Sequence, residues 1–176
     1  MVILLMGVTG SGKTTVGEAL AHALGCEFAD ADDFHSAANR AKMHAGIPLD
    51  DADRSPWLRS LHDRIAAWLL AGKTAVLACS ALKESYRAAL IEGTAPGAVR
   101  FVLLSGPESV IHDRLEARRG HYMPASLLRS QIDTLEPPRE ALDVSIAQAV
   151  PAIVQQILSA LRPEGYAGDM DRNGGL

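Results

Sequence analysis

The chain has 176 residues, 48% of them hydrophobic and 22% charged, which is enough to bury a sizeable core. Its formal net charge is −4 and its sequence pI is near 5.8, which argues against binding to long nucleic acids. No apolar run approaches the roughly 20 residues of a membrane span. The apolar opening, residues 1–6, lacks the basic region of a signal peptide. We therefore expect a cytoplasmic protein with no nucleic-acid and no membrane partner.

Short apolar runs alternate along the chain with longer segments of helical period. Strands are predicted over 2–6, 27–30, 74–79, 100–104 and 143–146. Helices are predicted over 14–24, 56–70, 108–119 and 150–161. This alternation predicts an α/β domain over 1–162, with a five-stranded parallel sheet covered by helices on both faces. The glycine-rich tail, 163–176, is expected to be disordered.

The first predicted strand runs into the pattern G-x-x-x-x-G-K-T. Glycines let such a loop turn its N–H groups inward, which makes a nest for phosphate oxygens at a helix N-terminus. Lys13 can reach the β- and γ-phosphates of ATP, and the Thr14 hydroxyl is placed to ligate Mg²⁺. A glycine-rich turn without a ligand would leave Lys13 unexplained. The residues predicted to bind the nucleotide are Gly7, Val8, Thr9, Gly10, Ser11, Gly12, Lys13, Thr14 and Thr15.

Acidic residues follow only one of the predicted strands, the second. Many P-loop ATPases place an acid at a strand end, where it helps to hold Mg²⁺. Alternate residues of an extended segment project the same way, so Asp30 and Asp32 should point together, while Asp33 caps the next helix. We assign Asp30 to the metal and Asp32 to the base that accepts a proton from an attacking hydroxyl. The competing interpretation is a solvated acidic turn.

Polar residues in the loops after the second and third strands are candidates for binding a phosphoryl acceptor. They are His35, Lys42, Arg54 and the turn 80–83, which contains Lys83. Taken singly, each is more often a surface residue than a ligand. Arg54 in particular has nearby acids that could simply pair with it, namely Asp50, Asp51 and Asp53.

A cluster of arginines precedes a glycine break at residue 120. Arg114 and Arg118 are spaced to share one helix face. Positive charge near the bridging phosphates stabilises phosphoryl transfer, and we favour Arg118 for this role. A lid that closed here would also keep water from competing as the acceptor. The alternative is that the arginines only complement the dipole of their helix.

Five stretches of the chain together resemble the gluconate kinases of the shikimate-kinase-like P-loop group. They are GVTGSGKTT at 7–15, DADDFH at 30–35, NRAKMHAGIPLDDADRSPWL at 39–58, ACSALKESYR at 78–87 and RRGHYMPASLLRSQIDTLEPP at 118–138. The first stretch identifies only the P-loop superfamily. The stretches at 39–58 and 118–138 are more particular to gluconate kinases.

The resemblance implies Mg²⁺-dependent transfer of the ATP γ-phosphate to the 6-hydroxyl of D-gluconate, which feeds the pentose phosphate or Entner–Doudoroff route. It further implies a sheet ordered 2-3-1-4-5, a mobile lid over about 118–135 and commonly a homodimer. The positions similar to the family's acceptor-side residues are Asp32, His35, Arg54, Lys83 and His121. Those similar to its phosphate-side residues are Lys13, Thr14 and Arg118, and the threonines Thr9 and Thr14 stand where serine is commoner.

Three other functions are compatible with parts of the sequence. A kinase for another small hydroxy acid, such as shikimate, is opposed only by the longer matching stretches. A GTP-dependent switch would need an Asn-Lys-x-Asp motif, which neither asparagine of the chain, Asn39 or Asn173, provides. A nucleotide-binding regulator without chemistry would have no need for the Asp30 and Asp32 carboxylates.

Overall fold

The structure is a computed structural model that describes residues 1–117 and 125–161, the latter with backbone alone for 125–127. Its strands are β1 (Val2–Met6), β2 (Glu27–Asp30), β3 (Ala75–Ala78), β4 (Val99–Ser105) and β5 (Leu142–Ser145). Its helices are α1 (Lys13–Leu24), α2 (Ala37–His44), α3 (Asp51–Leu70), α4 (Glu84–Ile91), α5 (Glu108–Glu116), α6 (Ala125–Thr134) and α7 (Val150–Leu161). A short 3-10 helix, Ala31–Phe34, follows β2.

The five strands form one parallel sheet in the order β2-β3-β1-β4-β5. The predicted fold class and strand order are therefore confirmed. In the central strand, Leu4 lies opposite Leu77 of β3 on one side and Phe101 of β4 on the other. Because the carboxyl ends of parallel strands meet at one edge, the loops after β1, β2 and β3 lie next to one another. This edge collects most of the residues singled out in the sequence.

Each face of the sheet is covered by its own hydrophobic core. Alternation along β1 sends Ile3 and Leu5 to one face, in a core that also contains residues of α1 and α7. It sends Leu4 and Met6 to the other face, in a core with residues of α3 and α4. The result is the three-layer α/β/α arrangement that the alternating pattern predicts.

The main differences from the predicted elements have local causes. Helix α3 begins at Asp51 rather than at Pro56, because the Asp50 carboxylate and the Asp53 carboxylate form a reciprocal capping box ahead of it. Two helices of eight residues, α2 and α4, were not predicted. With eight residues each, they are too short to show a clear helical period.

The arginine-rich segment is described only in part. Helix α5 is described as far as Glu116, and α6 lies inside the segment predicted to form a lid. Arg118, Arg119 and His121, together with the predicted tail, lie outside the described residues. In the portion that is described, no helix combines the length and apolar character needed to cross a membrane.

Candidate active site

The loop between β1 and α1 has the backbone conformation of a phosphate cradle. Its three glycines all have positive φ: Gly7 at 141°, Gly10 at 77° and Gly12 at 94°. A Cβ atom on Gly7 would lie 2.6 Å from the carbonyl oxygen of Leu104, so no other residue fits there. Gly12 is the N-cap of α1, which directs the first amides of that helix toward the loop. This arrangement fits the phosphate groups of a nucleotide.

Lys13 lies folded over this loop. Its Nζ atom donates to the carbonyl oxygens of Gly7 and Val8, at 3.0 Å each. These contacts hold the ammonium group at the cradle, where phosphate oxygens would carry the opposite charge. The predicted position of Lys13 beside the phosphates is thus consistent with its contacts.

Thr14 and Asp30 meet at the end of β2. The Thr14 hydroxyl donates to Asp30 Oδ2 at 2.7 Å, which joins the first turn of α1 to the neighbouring strand end. Hydroxyl and carboxylate oxygens are the protein ligands that Mg²⁺ prefers. The structure therefore brings together the two residues predicted to hold the metal, and their chemistry fits it.

Asp32 reaches the site differently from the prediction. The Asp30 side chain caps the 3-10 helix, and its Oδ1 atom accepts from the Asp32 N–H at 3.1 Å. The chain therefore turns at Asp30, and the expected extended alternation from Asp30 to Asp32 is wrong. The helix cap predicted for Asp33 is also wrong, because the Ser36 hydroxyl caps α2 instead.

The surroundings of Asp32 suit a base. Burial raises the pKa of its carboxyl group, the Asp30 charge raises it further, and Lys13 and His35 oppose the shift. The Asp32 side chain is still exposed to solvent. An acceptor that excluded this water would therefore raise the pKa of Asp32 further. A raised pKa makes the carboxylate a better acceptor for a hydroxyl proton.

His35 is buried next to Asp32, with 7% of its surface exposed. Burial lowers its pKa, the Asp32 charge opposes this, and the charges of Arg54 and Arg40 add to it. Among the described residues, its Nδ1 atom is buried without a hydrogen-bond partner. A buried polar atom left unpaired in this way is costly unless a ligand satisfies it.

Trp57 positions both of these residues, a role that its place in an amphipathic helix does not reveal. Its indole N–H donates to the Ala31 carbonyl at 2.7 Å, which fixes the 3-10 helix that carries Asp32. Its ring stacks on that of His35, with centroids 4.6 Å apart and an interplanar angle of 11°. Helix α3 therefore determines the geometry of the loop after β2.

The acids near Arg54 are engaged elsewhere. Asp53 pairs with Lys42 at 2.6 Å, and Asp51 with Lys83 at 3.2 Å. In the part of the chain that the structure describes, no carboxylate lies within ion-pair distance of Arg54. Its Nη1 atom donates to the Tyr86 hydroxyl at 3.4 Å, and its Nε atom is buried without a partner. The suggested pairing of Arg54 with these acids is therefore wrong. Lys42, by contrast, has an ion-pair partner in Asp53.

Arg87 supports the turn that precedes Lys83. Its guanidinium group is buried and donates to the carbonyl oxygens of Ala81 and Leu82, at 2.9 and 3.0 Å. Ala81 has a φ of 43°, a conformation that costs a residue with a side chain about 1 kcal/mol or more. The buried guanidinium stabilises this strained turn, which sequence reasoning did not identify.

Three long-range hydrogen bonds link α6 and the residues just after it to the site. The Thr9 N–H donates to Gln131 Oε1 at 2.7 Å. Beyond the end of α6, the Glu136 N–H donates to the Leu82 carbonyl at 2.9 Å, and its carboxylate accepts from the Glu84 N–H. The segment from Gln131 to Glu136 thus contacts both the phosphate loop and the start of α4.

Arg114 braces the phosphate loop from α5. Its guanidinium group donates to the carbonyl oxygens of Ser11, at 3.3 Å, and Ile146, at 2.7 Å. Arg114 is therefore engaged with backbone. Arg118 and His121, predicted for the phosphate and acceptor sides, lie outside the described residues.

Comparisons with known proteins agree with this geometry. Residues 2–138 match a family described as an AAA domain. The chain is 49% identical to a gluconokinase of Gluconobacter oxydans over 136 residues (77% of this chain, 75% of the relative). It is 43% identical to a gluconokinase of Arabidopsis thaliana over 171 residues (89% and 90%).

Solved structures give the same result. A gluconokinase from Sinorhizobium meliloti superposes with a TM-score of 0.79 at 47% identity, covering 89% of each chain. A shikimate kinase from Aquifex aeolicus shares the fold alone, with a TM-score of 0.61 at 18% identity, over 96% of this chain and 100% of that one. On its sequence, its fold and the arrangement of its phosphate loop, this chain belongs to the gluconokinase family.

Proposed function

We propose that this protein transfers the γ-phosphoryl group of ATP to the 6-hydroxyl of D-gluconate, giving 6-phospho-D-gluconate and ADP. Membership of the gluconokinase family supports the choice of acceptor. The observation that carries the proposal is a juxtaposition at one sheet edge. The phosphate cradle with Lys13 and the Thr14–Asp30 pair lie beside Asp32. Nearby, His35 and Arg54 each have a buried nitrogen that no other described residue hydrogen-bonds.

On the nucleotide side, the loop amides and Lys13 hold the phosphates and stabilise the negative charge that spreads over the transferring group. Thr14 and Asp30 would hold Mg²⁺, which neutralises phosphate charge when bound. Arg118, outside the described residues, is proposed to add positive charge at the same group. These groups act by position and charge and form no covalent bond with the substrate.

On the acceptor side, Asp32 takes the proton from the 6-hydroxyl as that oxygen attacks the γ-phosphorus atom. His35, held neutral by its burial, is available to hydrogen-bond a substrate hydroxyl. Arg54 and Lys83 supply positive charge for the carboxylate of gluconate, and His121 is proposed to add a further contact. A cytoplasmic location and a homodimer remain predictions.

The test is a comparison of acceptors with the purified protein. ADP formation is followed with Mg²⁺ and ATP in the presence of D-gluconate, shikimate, glycerate or a nucleoside monophosphate. We expect the highest kcat/KM for D-gluconate, a product whose phosphorus resonance couples to the protons on carbon 6, and no activity after chelation of Mg²⁺. Turnover with shikimate that equals or exceeds turnover with gluconate would contradict the proposal.

A further inference from the structure

A group of side chains on α3 and around the start of α4 has contacts that the proposed chemistry does not explain. It consists of Asp51, Arg54, Lys83 and Tyr86, and we call it the Tyr86 cluster. We propose that Tyr86 is a positioning residue that holds Arg54 and Lys83 together as a receptor for the carboxylate of the acceptor. In this proposal Asp51 is the counter-ion that occupies the receptor until the acceptor arrives. The proposal rests on the proposed function, which supplies gluconate as the acceptor.

Tyr86 contacts both cations through two different parts of its side chain. The Arg54 guanidinium carbon lies 5.6 Å from the centre of the Tyr86 ring, and the Lys83 ammonium 5.1 Å from it. Both distances are within the range of cation–π attraction. The Tyr86 hydroxyl also accepts a hydrogen bond from Arg54, at 3.4 Å. With 7% of its surface exposed, Tyr86 belongs to the core, so its ring is a fixed support for two flexible side chains.

The net positive charge of the cluster favours binding of an anion. Arg54 and Lys83 carry two positive charges and Asp51 carries one negative charge, which leaves one positive charge over. Asp51 accepts from the Tyr86 hydroxyl and from Lys83, and these contacts hold its pKa below the usual value. Asp51 is 73% exposed, and an exposed ion pair contributes little to stability. A substrate carboxylate can therefore replace Asp51 on these donors at small cost.

Helix α3 connects the cluster to the region of the base, because it carries Arg54 about one turn before Trp57, whose ring stacks on His35. The pKa of His35 responds to the charge of Asp32 and also to that of Arg54. His35 thus lies within the electrostatic reach of the base and of the Tyr86 cluster. The Nε atom of Arg54, which has no partner among residues 1–117 and 128–161, adds a buried donor at the cluster. An extended molecule with a reactive hydroxyl at one end and a carboxylate at the other fits this order of groups.

The test compares an acceptor with its neutral analogue. D-gluconate and D-gluconamide differ only in the carboxylate, and their binding is measured by titration calorimetry with Mg²⁺ and a non-hydrolysable ATP analogue. The variant is Tyr86→Phe, which keeps the ring and removes the hydroxyl. The matched control is Ser85→Ala, which removes a hydroxyl from the adjacent, exposed position of the same helix.

We expect Tyr86→Phe to weaken gluconate binding roughly tenfold, the usual effect of losing a hydrogen bond to charged groups. Gluconamide binding should change by less than about twofold, and Ser85→Ala should bind both ligands as the wild type does. Equal losses for both ligands would mean that Tyr86 only supports packing, and unchanged binding would mean that it has no role; either result overturns the proposal. Wild-type protein that binds neither ligand would instead overturn the proposed function, and this proposal with it.

Discussion

The two ends of the cleft are built from different parts of the polypeptide. The phosphate end is formed mostly by consecutive residues, 7–14, whose backbone conformation and amides make the cradle that Lys13, Thr14 and Asp30 complete. The acceptor end consists of side chains from the 3-10 helix, α3 and α4, which are far apart in sequence. A site made of backbone amides depends little on side-chain identity, whereas a site made of side chains can be changed one residue at a time. Specificity for the acceptor therefore depends on the second region.

The largest expected effect comes from removing the cation at the phosphate end. Lys13→Ala should lower kcat/KM for ATP by about 10³-fold, because the ammonium group at the cradle helps to bind the nucleotide and also stabilises the transition state. Lys73→Ala, at an exposed position near the opposite edge of the sheet, is the control. Steady-state kinetics in which kcat/KM for ATP did not change would refute the role of Lys13.

At the acceptor end, the largest effect should come from the base. Asp32→Asn should lower kcat roughly 10²-fold or more while leaving the KM for ATP nearly unchanged. Asp33→Asn removes an adjacent exposed carboxylate and should retain near-normal turnover. If the two variants have the same kcat, Asp32 is not the base, and positioning of the substrates accounts for catalysis.

A smaller effect tests whether the backbone cradle tolerates a side chain. Gly10 and Gly97 have nearly the same φ, 77° and 75°. A Cβ atom on Gly10 would lie 2.9 Å from Leu115 Cγ, whereas a Cβ atom on Gly97 would have no described atom within 4 Å. Gly97→Ala should cost about 1 kcal/mol of unfolding free energy from backbone strain, and Gly10→Ala about 1–3 kcal/mol more from crowding. Urea unfolding measures both. Equal losses would show that α5 moves aside.

The smallest effect concerns pH at the acceptor end. Burial lowers the pKa of His35, so the unfolded chain takes up a proton on this residue near pH 6.5 before the folded protein does. Stability from this source is complete above pH 6.5 and is lost as the pH falls below it. Between pH 6.5 and 5.5 the wild type should lose more unfolding free energy than His35→Asn, by at most about 1.4 kcal/mol. Identical losses in denaturant titrations would contradict this.

The sequence was sufficient for the features that depend on neighbouring residues. The P-loop pattern predicted the cradle, and the apolar runs predicted the five strands, because both are properties of short segments. Thr14 and Asp30 were both assigned to the metal, and the structure places them in direct contact at the edge where the carboxyl ends of the parallel strands meet. The position of Asp32 was missed because a side chain, that of Asp30, ended the strand by capping the next turn.

The acceptor end was predicted as a set of residue types but not as a set of contacts. Nearby acids were expected to pair with Arg54 and so to compete with a substrate. Instead, Asp53 pairs with Lys42 of the unpredicted helix α2, and Asp51 pairs with Lys83. The roles of Trp57 and Tyr86 depend on the packing of α3 against the 3-10 helix and α4. Such contacts follow from tertiary structure, which no periodic pattern in the sequence encodes.

The contacts of Gln131 and Glu136 have a consequence for how the two substrates influence each other. One short stretch of chain is hydrogen-bonded to the phosphate loop at Thr9 and to the start of α4 at Glu84. Any free energy that this stretch transmits from one end of the cleft to the other is transmitted equally in reverse. A factor by which ATP tightens gluconate binding must therefore equal the factor by which gluconate tightens ATP binding. A single substitution in α6 should alter both factors to the same extent.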